Sequence, residues 1–208
     1  LGGLKIEQAW QLFKEGKIEQ AKKLVEPNFS VETCTDYHLL NLMGYIYLEE
    51  KNYNDSLKIY QRYIDLARSK NDLENEHIGY HQLAMVYRDL GEFQKALLYI
   101  NQEMEIIQNN FPNDALKLSI NYYEQGFLHL KLGELEYAKN YMQKSLDFAL
   151  KTDDFIAQAC AYRGMGEIYL AQESDKAQDY FYQSIQLFEK AEDKIGADEV
   201  RALLENKK

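Results

Sequence analysis

Residues 80–96 read YHQLAMVYRDLGEFQKA, and residues 122–138 repeat the same pattern as YYEQGFLHLKLGELEYA. In both stretches a large residue is followed four positions later by a small one, then by an aromatic or histidine residue, a glycine and a second small residue. The apolar residues Leu83, Val86 and Leu90 are three and four positions apart, which is the spacing of a helix buried on one side. Each stretch therefore predicts a helix, a tight turn and the start of a second helix.

The same pattern recurs along the chain. Residues 40–56 (LNLMGYIYLEEKNYNDS) and 162–177 follow it, the latter with a turn one residue shorter, and residues 9–21 follow its second half. The small residues that open the second helices are 35, 40, 42 and 39 residues apart: Ala21, Ser56, Ala96, Ala138 and Ala177. Self-similarity at such a period is typical of helical repeat proteins, in which successive hairpins stack on one another.

Small residues and caps complete the predicted hairpins. Each complete first helix carries a small residue at which a second helix can approach closely: Gly44, Ala84, Gly126 and Gly166. We expect Gly91 and Gly133 to end their first helices in a left-handed conformation. Short polar residues precede three first helices as candidate N-caps: Asp72, Asn113 or Asp114, and Asp153 or Asp154.

The composition agrees with an all-helical soluble protein. The 208 residues include 27 Leu but only 4 Val and 3 Thr, so the residues that favour strands are scarce. The net charge of −10 argues against nucleic acid as a partner, because phosphate binding requires clustered cations. The sequence contains no run of about 18 apolar residues and no signal peptide, so we expect a cytoplasmic protein without membrane contact.

These repeats resemble the tetratricopeptide repeat over nearly the whole chain, most strongly in residues 80–105 and 122–149. The resemblance is weaker in the first repeat, whose opening helix is short, and in the second, where Lys51 and Ser56 replace the usual Gly and Ala. It implies an all-α, right-handed superhelix in a single domain of residues 1–208, without cofactors. Five hairpins are expected at residues 1–28, 36–68, 74–109, 114–150 and 154–190, followed by a capping helix at 191–205.

Periods near 40 exceed the usual length of about 34 residues. Such expanded repeats are similar to those of the Rap and PlcR group of peptide-sensing regulators of Gram-positive bacteria, and also to kinesin light chain and LGN-type scaffolds. The count of 19 Lys against 5 Arg, with 13 Asn and 17 Tyr, favours the first group. That group would make the chain the sensor part of a regulator whose effector domain precedes Leu1.

Catalytic signatures are missing from the sequence. It has no phosphate-binding glycine loop, nucleophile elbow, HExxH or paired-cysteine motif, so we expect a protein that is not an enzyme. His77 and His81 lie four residues apart, and with His38 they have the residue type and spacing of a metal site, but such pairs are common by chance. We therefore favour a polar groove wall or partly buried imidazoles and predict no metal site. Cys34 and Cys160 belong to distant repeats and are expected to stay free.

The resemblance places the first helix of every repeat on a concave groove. Aromatic rings and hydrogen-bonding groups suit the binding of an extended peptide, whose backbone an Asn could bind and whose carboxylates Arg and Lys could bind. The groove positions begin with Trp10, Phe13, Lys14 and His38. The predicted peptide-binding residues are Asn41, Tyr45, His81, Met85, Arg88, Tyr123, Phe127, Lys131, Arg163 and Glu167. Burying the polar residues of this set without hydrogen-bond partners would be costly, so we prefer them as ligand contacts. The aromatic residues Trp10, Tyr45 and Phe127 could equally be core residues.

The sequence thus predicts a non-catalytic module that binds a peptide or protein segment in its groove. The alternative is a structural scaffold or oligomerisation domain, such as a homodimer, that uses its convex face or its termini. The fold alone does not decide between the two, because one solenoid serves many functions.

Overall fold

The computed structural model describes residues 2–205, which form eleven α-helices, one short 3₁₀ helix at Glu26–Asn28 and no strand. The α-helices are α1 (Gly3–Lys14), α2 (Ile18–Val25), α3 (Tyr37–Glu49), α4 (Tyr53–Ser69), α5 (Leu73–Asp89), α6 (Phe93–Asn110), α7 (Ala115–Lys131), α8 (Leu135–Ala149), α9 (Phe155–Ala171), α10 (Lys176–Lys190) and α11 (Lys194–Glu205). No helix within these residues is long and apolar enough to span a membrane.

Aspartate side chains begin four of the first helices. Asp72 Oδ1 accepts a hydrogen bond from the Asn75 N–H at 3.0 Å, and Asp114 and Asp154 cap α7 and α9 in the same way. These caps confirm Asp72 and select Asp114 and Asp154 from the two pairs of candidates. Asp36, which the sequence analysis did not single out, caps α3.

The described helices group into two compact units, residues 2–103 and 104–205, and the boundary between them falls within α6. Unit 1 contains α1–α5 and the first part of α6. Unit 2 contains the rest of α6 and α7–α11.

In unit 1, the α3–α4 hairpin packs closely at Gly44. A Cβ atom at this position would clash with the ring of Tyr60, which is fully buried. Ser56 Oγ donates a hydrogen bond to the Gly44 carbonyl oxygen at 3.1 Å, so the two small residues meet at the crossing. The close approach expected at Gly44 is confirmed.

In unit 2, a Cβ on Gly126 would lie 3.0 Å from the backbone nitrogen of Met142, so α7 and α8 meet nearly backbone to backbone. Gly133 ends α7 with a φ of 78°, the left-handed conformation that the sequence predicted. The last helix, α11, covers an apolar face of α10, where Ala197 and Val200 join a cluster with Phe181 and Phe188.

Candidate functional site

The face formed by α1, α3 and α5, here called the first-helix face of unit 1, contains five of the predicted contact residues. Asn41 is half-buried on α3, and its Oδ1 atom is buried with no hydrogen-bond partner among the described residues. A buried acceptor without a donor costs about 1 to 3 kcal/mol relative to one that is paired. Asn41 therefore presents an oxygen that a peptide N–H could satisfy.

Tyr45 lies beside Asn41 in sequence but is already engaged within unit 1. Its ring lies 5.9 Å from that of Trp10 and 6.0 Å from that of Phe13, measured between centroids. Its hydroxyl oxygen accepts a hydrogen bond from Gln82 Nε2 at 2.8 Å. Burial raises the pKa of the Tyr45 hydroxyl above its ordinary value. These contacts tie α1, α3 and α5 together, which is the structural role weighed for Tyr45 in the sequence analysis.

His81 belongs to a cluster around a buried carboxylate. Its Nδ1 lies 3.0 Å from Glu103 Oε2, and His77 Nδ1 lies 3.7 Å from the other carboxylate oxygen. Burial opposes ionisation of Glu103, but the charges of His81 and His77 and their hydrogen bonds outweigh it and lower the pKa of this carboxyl group. Among residues 2–205, no group of three or more His, Cys, Asp or Glu side chains is arranged to hold a metal ion.

The remaining predicted residues of this face differ in exposure. Met85 is only 8% exposed. Arg88 is half-buried, and its Nε lies 3.4 Å from Asp89 Oδ1. His38 and Lys14 are exposed, at the start of α3 and the end of α1.

In unit 2 the corresponding face is formed by α7 and α9, and the structure brings its predicted residues together in two groups. On α7 the rings of Tyr123 and Phe127 lie 6.4 Å apart between centroids, and Lys131 Nζ lies 5.0 Å from the centre of the Phe127 ring. Burial, with a further contribution from Glu167, raises the pKa of the Tyr123 hydroxyl above its ordinary value.

The second group is centred on Arg163 of α9. Its Nε donates to Glu167 Oε1 at 3.1 Å, and its Nη1 donates to Glu199 Oε2 of α11 at 2.7 Å. Burial opposes the positive charge, but the two carboxylates outweigh it and raise the pKa of Arg163. Arg163 is therefore already paired, and a ligand carboxylate would have to replace Glu199, the more exposed of its two partners.

A cavity of about 230 Å³ opens between the first halves of α7 and α9. Ile120 and Ile156 are 40% and 48% exposed where they line it. Its full lining is Leu116, Ser119, Ile120, Tyr123, Glu124, Asp154, Ile156, Ala157 and Cys160. Apart from Tyr123, none of these residues was predicted to contact a ligand. The sequence held one signal for this cavity: Leu116, Ile120 and Ile156 are apolar although the hairpin core does not require apolar residues at their positions.

Cys34 and Cys160 are both free thiols. Burial, augmented by the nearby Glu124, raises the pKa of Cys160 to about 11. At neutral pH the thiol in the cavity wall is therefore largely protonated.

Comparison with known families agrees with the fold. Models of the tetratricopeptide repeat match residues 36–109 and 120–152, together just over half of the chain. The chain belongs to the tetratricopeptide repeat family, and its fold class is the all-α solenoid that the sequence predicted. Members of this family and similar solved structures are generally non-catalytic interaction modules.

Individual relatives are distant. A TPR repeat-containing protein of Methanocaldococcus jannaschii is 24% identical over 176 residues, which are 70% of this chain and 30% of that protein. The crystal structure of a signal transduction ATPase with a tetratricopeptide repeat sensor, from Pyrococcus horikoshii, has a TM-score of 0.74 at 20% identity and covers 94% of this chain and 31% of that one. YrrB, described as a TPR protein with an unusual peptide-binding site, has a TM-score of 0.50 at 16% identity over 95% of this chain and 90% of its own. The chain spans about a third of the length of the curated relatives it matches.

Proposed function

We propose that the chain is a non-catalytic module that binds a peptide or protein segment on its first-helix faces. The observation that carries this proposal is the cavity of about 230 Å³ in unit 2, which adjoins Tyr123 and lies on the same two helices as Phe127 and Arg163. A concave apolar site with a few polar groups beside it is the usual form of a ligand site. In unit 1 the unsatisfied oxygen of Asn41 supports the same function.

The family supports this function in general terms, because tetratricopeptide repeats serve as protein interaction modules. The description of YrrB as having a peptide-binding site applies to that protein and supports a peptide as one class of ligand here. Nucleic acid and membranes are not proposed as partners, since the net charge is −10.

A finer version makes the chain the sensor part of a larger cytoplasmic regulator, with expanded repeats similar to those of the Rap and PlcR group. The similarity to an ATPase that carries a tetratricopeptide repeat sensor supports this version. It predicts that ligand binding changes the activity of a linked domain, which can be measured in the full-length protein with and without the selected peptide.

The test of the proposed function is selection of binders from a displayed library of random dodecapeptides, followed by measurement of affinity by titration calorimetry. Asn41→Ala and Arg163→Ala, one in each unit, should each weaken a peptide bound on that unit's face by about 1 to 3 kcal/mol, the value of a lost buried or charge-assisted hydrogen bond. Tyr182→Ala is the matched control, because Tyr182 is 49% exposed on the second helix α10.

The scaffold alternative predicts a different result. In that case Tyr182→Ala, or a change at the exposed Leu98 on α6, would alter self-association in sedimentation experiments, while Asn41→Ala and Arg163→Ala would have no effect on any partner. A library that yields no binder would contradict the proposed function for peptide segments.

A further inference from the structure

We infer that α11 is an internal competitor for the ligand of unit 2. Glu199 of α11 holds Arg163 through its carboxylate, and an acidic side chain of the bound segment would take the place of that carboxylate. This inference rests on the proposed function and adds to it the chemistry of the ligand and a contact that restrains binding. The ligand is thus a segment that carries Asp or Glu.

Arg163 already binds carboxylates on the first-helix face of unit 2. Its Nη1 donates to Glu199 Oε2 at 2.7 Å, and its Nε donates to Glu167 Oε1 at 3.1 Å. Hydrogen bonds between a guanidinium and a carboxylate are shorter and stronger than those between neutral groups. The side chain that occupies Arg163 in the structure therefore shows which chemistry fits this point of the face.

A ligand carboxylate would replace Glu199 rather than join it. Glu167 and Glu199 together exceed the single positive charge of Arg163, so a third carboxylate would be repelled. Glu199 is the partner that can leave, because its side chain is 55% exposed and belongs to another helix. Glu167 is 17% exposed and lies one turn away on α9 itself. The exchange puts one carboxylate in the place of another and leaves the charge of Arg163 compensated.

The attachment of α11 permits this exchange. Ala197 and Val200 are the apolar residues of α11 that are fully buried, whereas Ile195 is 75% exposed. Within residues 2–205, the pair of Arg163 and Glu199 is the only hydrogen bond between α11 and α9. A helix of twelve residues is marginal by itself in water, so the stability of α11 depends on these contacts. Loss of the pair with Arg163 should therefore loosen α11.

Titration calorimetry of the full chain with the selected dodecapeptides tests the competition. The peptides have amidated C-termini, so that only side chains can supply the carboxylate. Glu199→Gln should tighten the acidic peptides that Arg163→Ala weakens, by about fivefold or more, because internal occupancy of a site lowers its apparent affinity. Asp198→Asn is the matched control, since it removes the same charge from an adjacent, similarly exposed position that pairs with Arg201. It should change the affinity by less than about twofold.

A change in the peptide completes a double-mutant cycle. Replacing the acidic residue of the peptide with the corresponding amide should weaken binding to the wild type about tenfold or more, the contribution of a hydrogen bond between charged groups. The same replacement should abolish the gain from Glu199→Gln, because an amide does not compete with Glu199 for Arg163.

Hydrogen exchange measured by mass spectrometry gives a readout that the proposed function alone does not predict. Bound peptide should accelerate amide exchange in residues 194–205 about threefold or more, because α11 loses its hydrogen bond to α9 and opens more often. Glu199→Gln should accelerate exchange in the same residues without peptide, whereas Asp198→Asn should leave it unchanged. A ligand that only covered the face would slow this exchange.

The outcomes separate this inference from the proposed function. Acidic peptides that bind Glu199→Gln more tightly and accelerate exchange in α11 would support both. Peptides that lose affinity in Arg163→Ala but gain none in Glu199→Gln, or that slow exchange in α11, would overturn the inference and leave the proposed function standing. Binders that share no acidic residue, or that are all indifferent to Arg163→Ala, would have the same effect. A library that yields no binder would overturn both.

Discussion

At the scale of single residues, Asn41 carries a buried polar atom that weakens the fold and that the proposed function assigns to ligand binding. Its Oδ1 atom is buried without a partner on α3, where an apolar residue of the same shape would avoid the cost of desolvation. Functional sites commonly retain such unfavourable groups, because optimising them for stability removes the feature that binds.

Replacement of Asn41 by leucine, which has a similar shape, should therefore raise the free energy of unfolding by about 0.5 to 2 kcal/mol. The same change should weaken a peptide that binds unit 1. Urea titration followed by circular dichroism measures the first effect, and calorimetry with the selected peptide measures the second. A destabilised Asn41→Leu protein would mean that the oxygen has an internal partner, such as an ordered water, and is not available to a ligand.

The buried carboxylate of Glu103 gives a second prediction for a single residue. The pKa of this carboxyl group is lowered in the folded state, so the unfolded chain binds the proton more readily. The contribution of Glu103 to stability is therefore fully present above the ordinary pKa of 4.5 and is lost as the pH falls through the lower pKa of the folded state. Glu103→Gln should therefore remove part of the loss of stability on acidification below about pH 4.5, the pH at which the unfolded carboxyl group is half-protonated.

The matched control is Glu105→Gln, because Glu105 is exposed on the same helix, two residues away. It should leave the acid limb of the stability profile unchanged in urea titrations between pH 3 and pH 7. Equal acid limbs in wild type and Glu103→Gln would show that His77 and His81 do not stabilise the ionised carboxylate.

At the scale of helices and hairpins, the sequence predicted most of what the structure contains. The caps at Asp72, Asp114 and Asp154 and the glycine that ends α7 follow from local rules, because each depends only on residues a few positions away. The small residues at the hairpin crossings were equally visible, since their spacing recurs from repeat to repeat.

The candidate site was less predictable, for physical reasons. The pairing of Arg163 with Glu199 depends on the position of α11, and that of Tyr45 with Gln82 depends on how α3 meets α5. Spacing within one helix carries no information about either contact. The cavity is lined by residues of two different helices, α7 and α9, and the periodicity within one helix does not report a gap between the two.

The α7–α8 crossing gives a prediction at this scale. Gly126→Ala should destabilise the protein by about 1 to 3 kcal/mol, even though alanine is the better helix former by about 1 kcal/mol, because the added Cβ would press on the backbone of Met142. Gly3→Ala is the control, since Gly3 lies in α1 with open space around it. It should be neutral or slightly stabilising in the same urea titrations. A neutral Gly126→Ala would show that α7 and α8 can separate without cost.

At the scale of the whole molecule, the chain consists of two compact units, and each unit has its own hairpins and its own candidate contacts. In repeat proteins, stability is close to a sum of local terms from each repeat and its neighbours, so cooperativity across the chain is limited. We therefore expect each unit to have its own free energy of unfolding, to which the changes predicted above for single residues apply.

The only tryptophan, Trp10, makes this property measurable, because it packs against Phe13 and Tyr45 in unit 1 and reports on that unit alone. We expect its fluorescence to change at a different urea concentration from the circular dichroism signal, which sums the helices of both units. Gly126→Ala acts in unit 2 and should lower the midpoint seen by circular dichroism while leaving the Trp10 transition in place. If both probes shift together in this variant and stay coincident in the wild type, the two units unfold as one cooperative structure, and a ligand that binds unit 2 would stabilise unit 1 to the same extent.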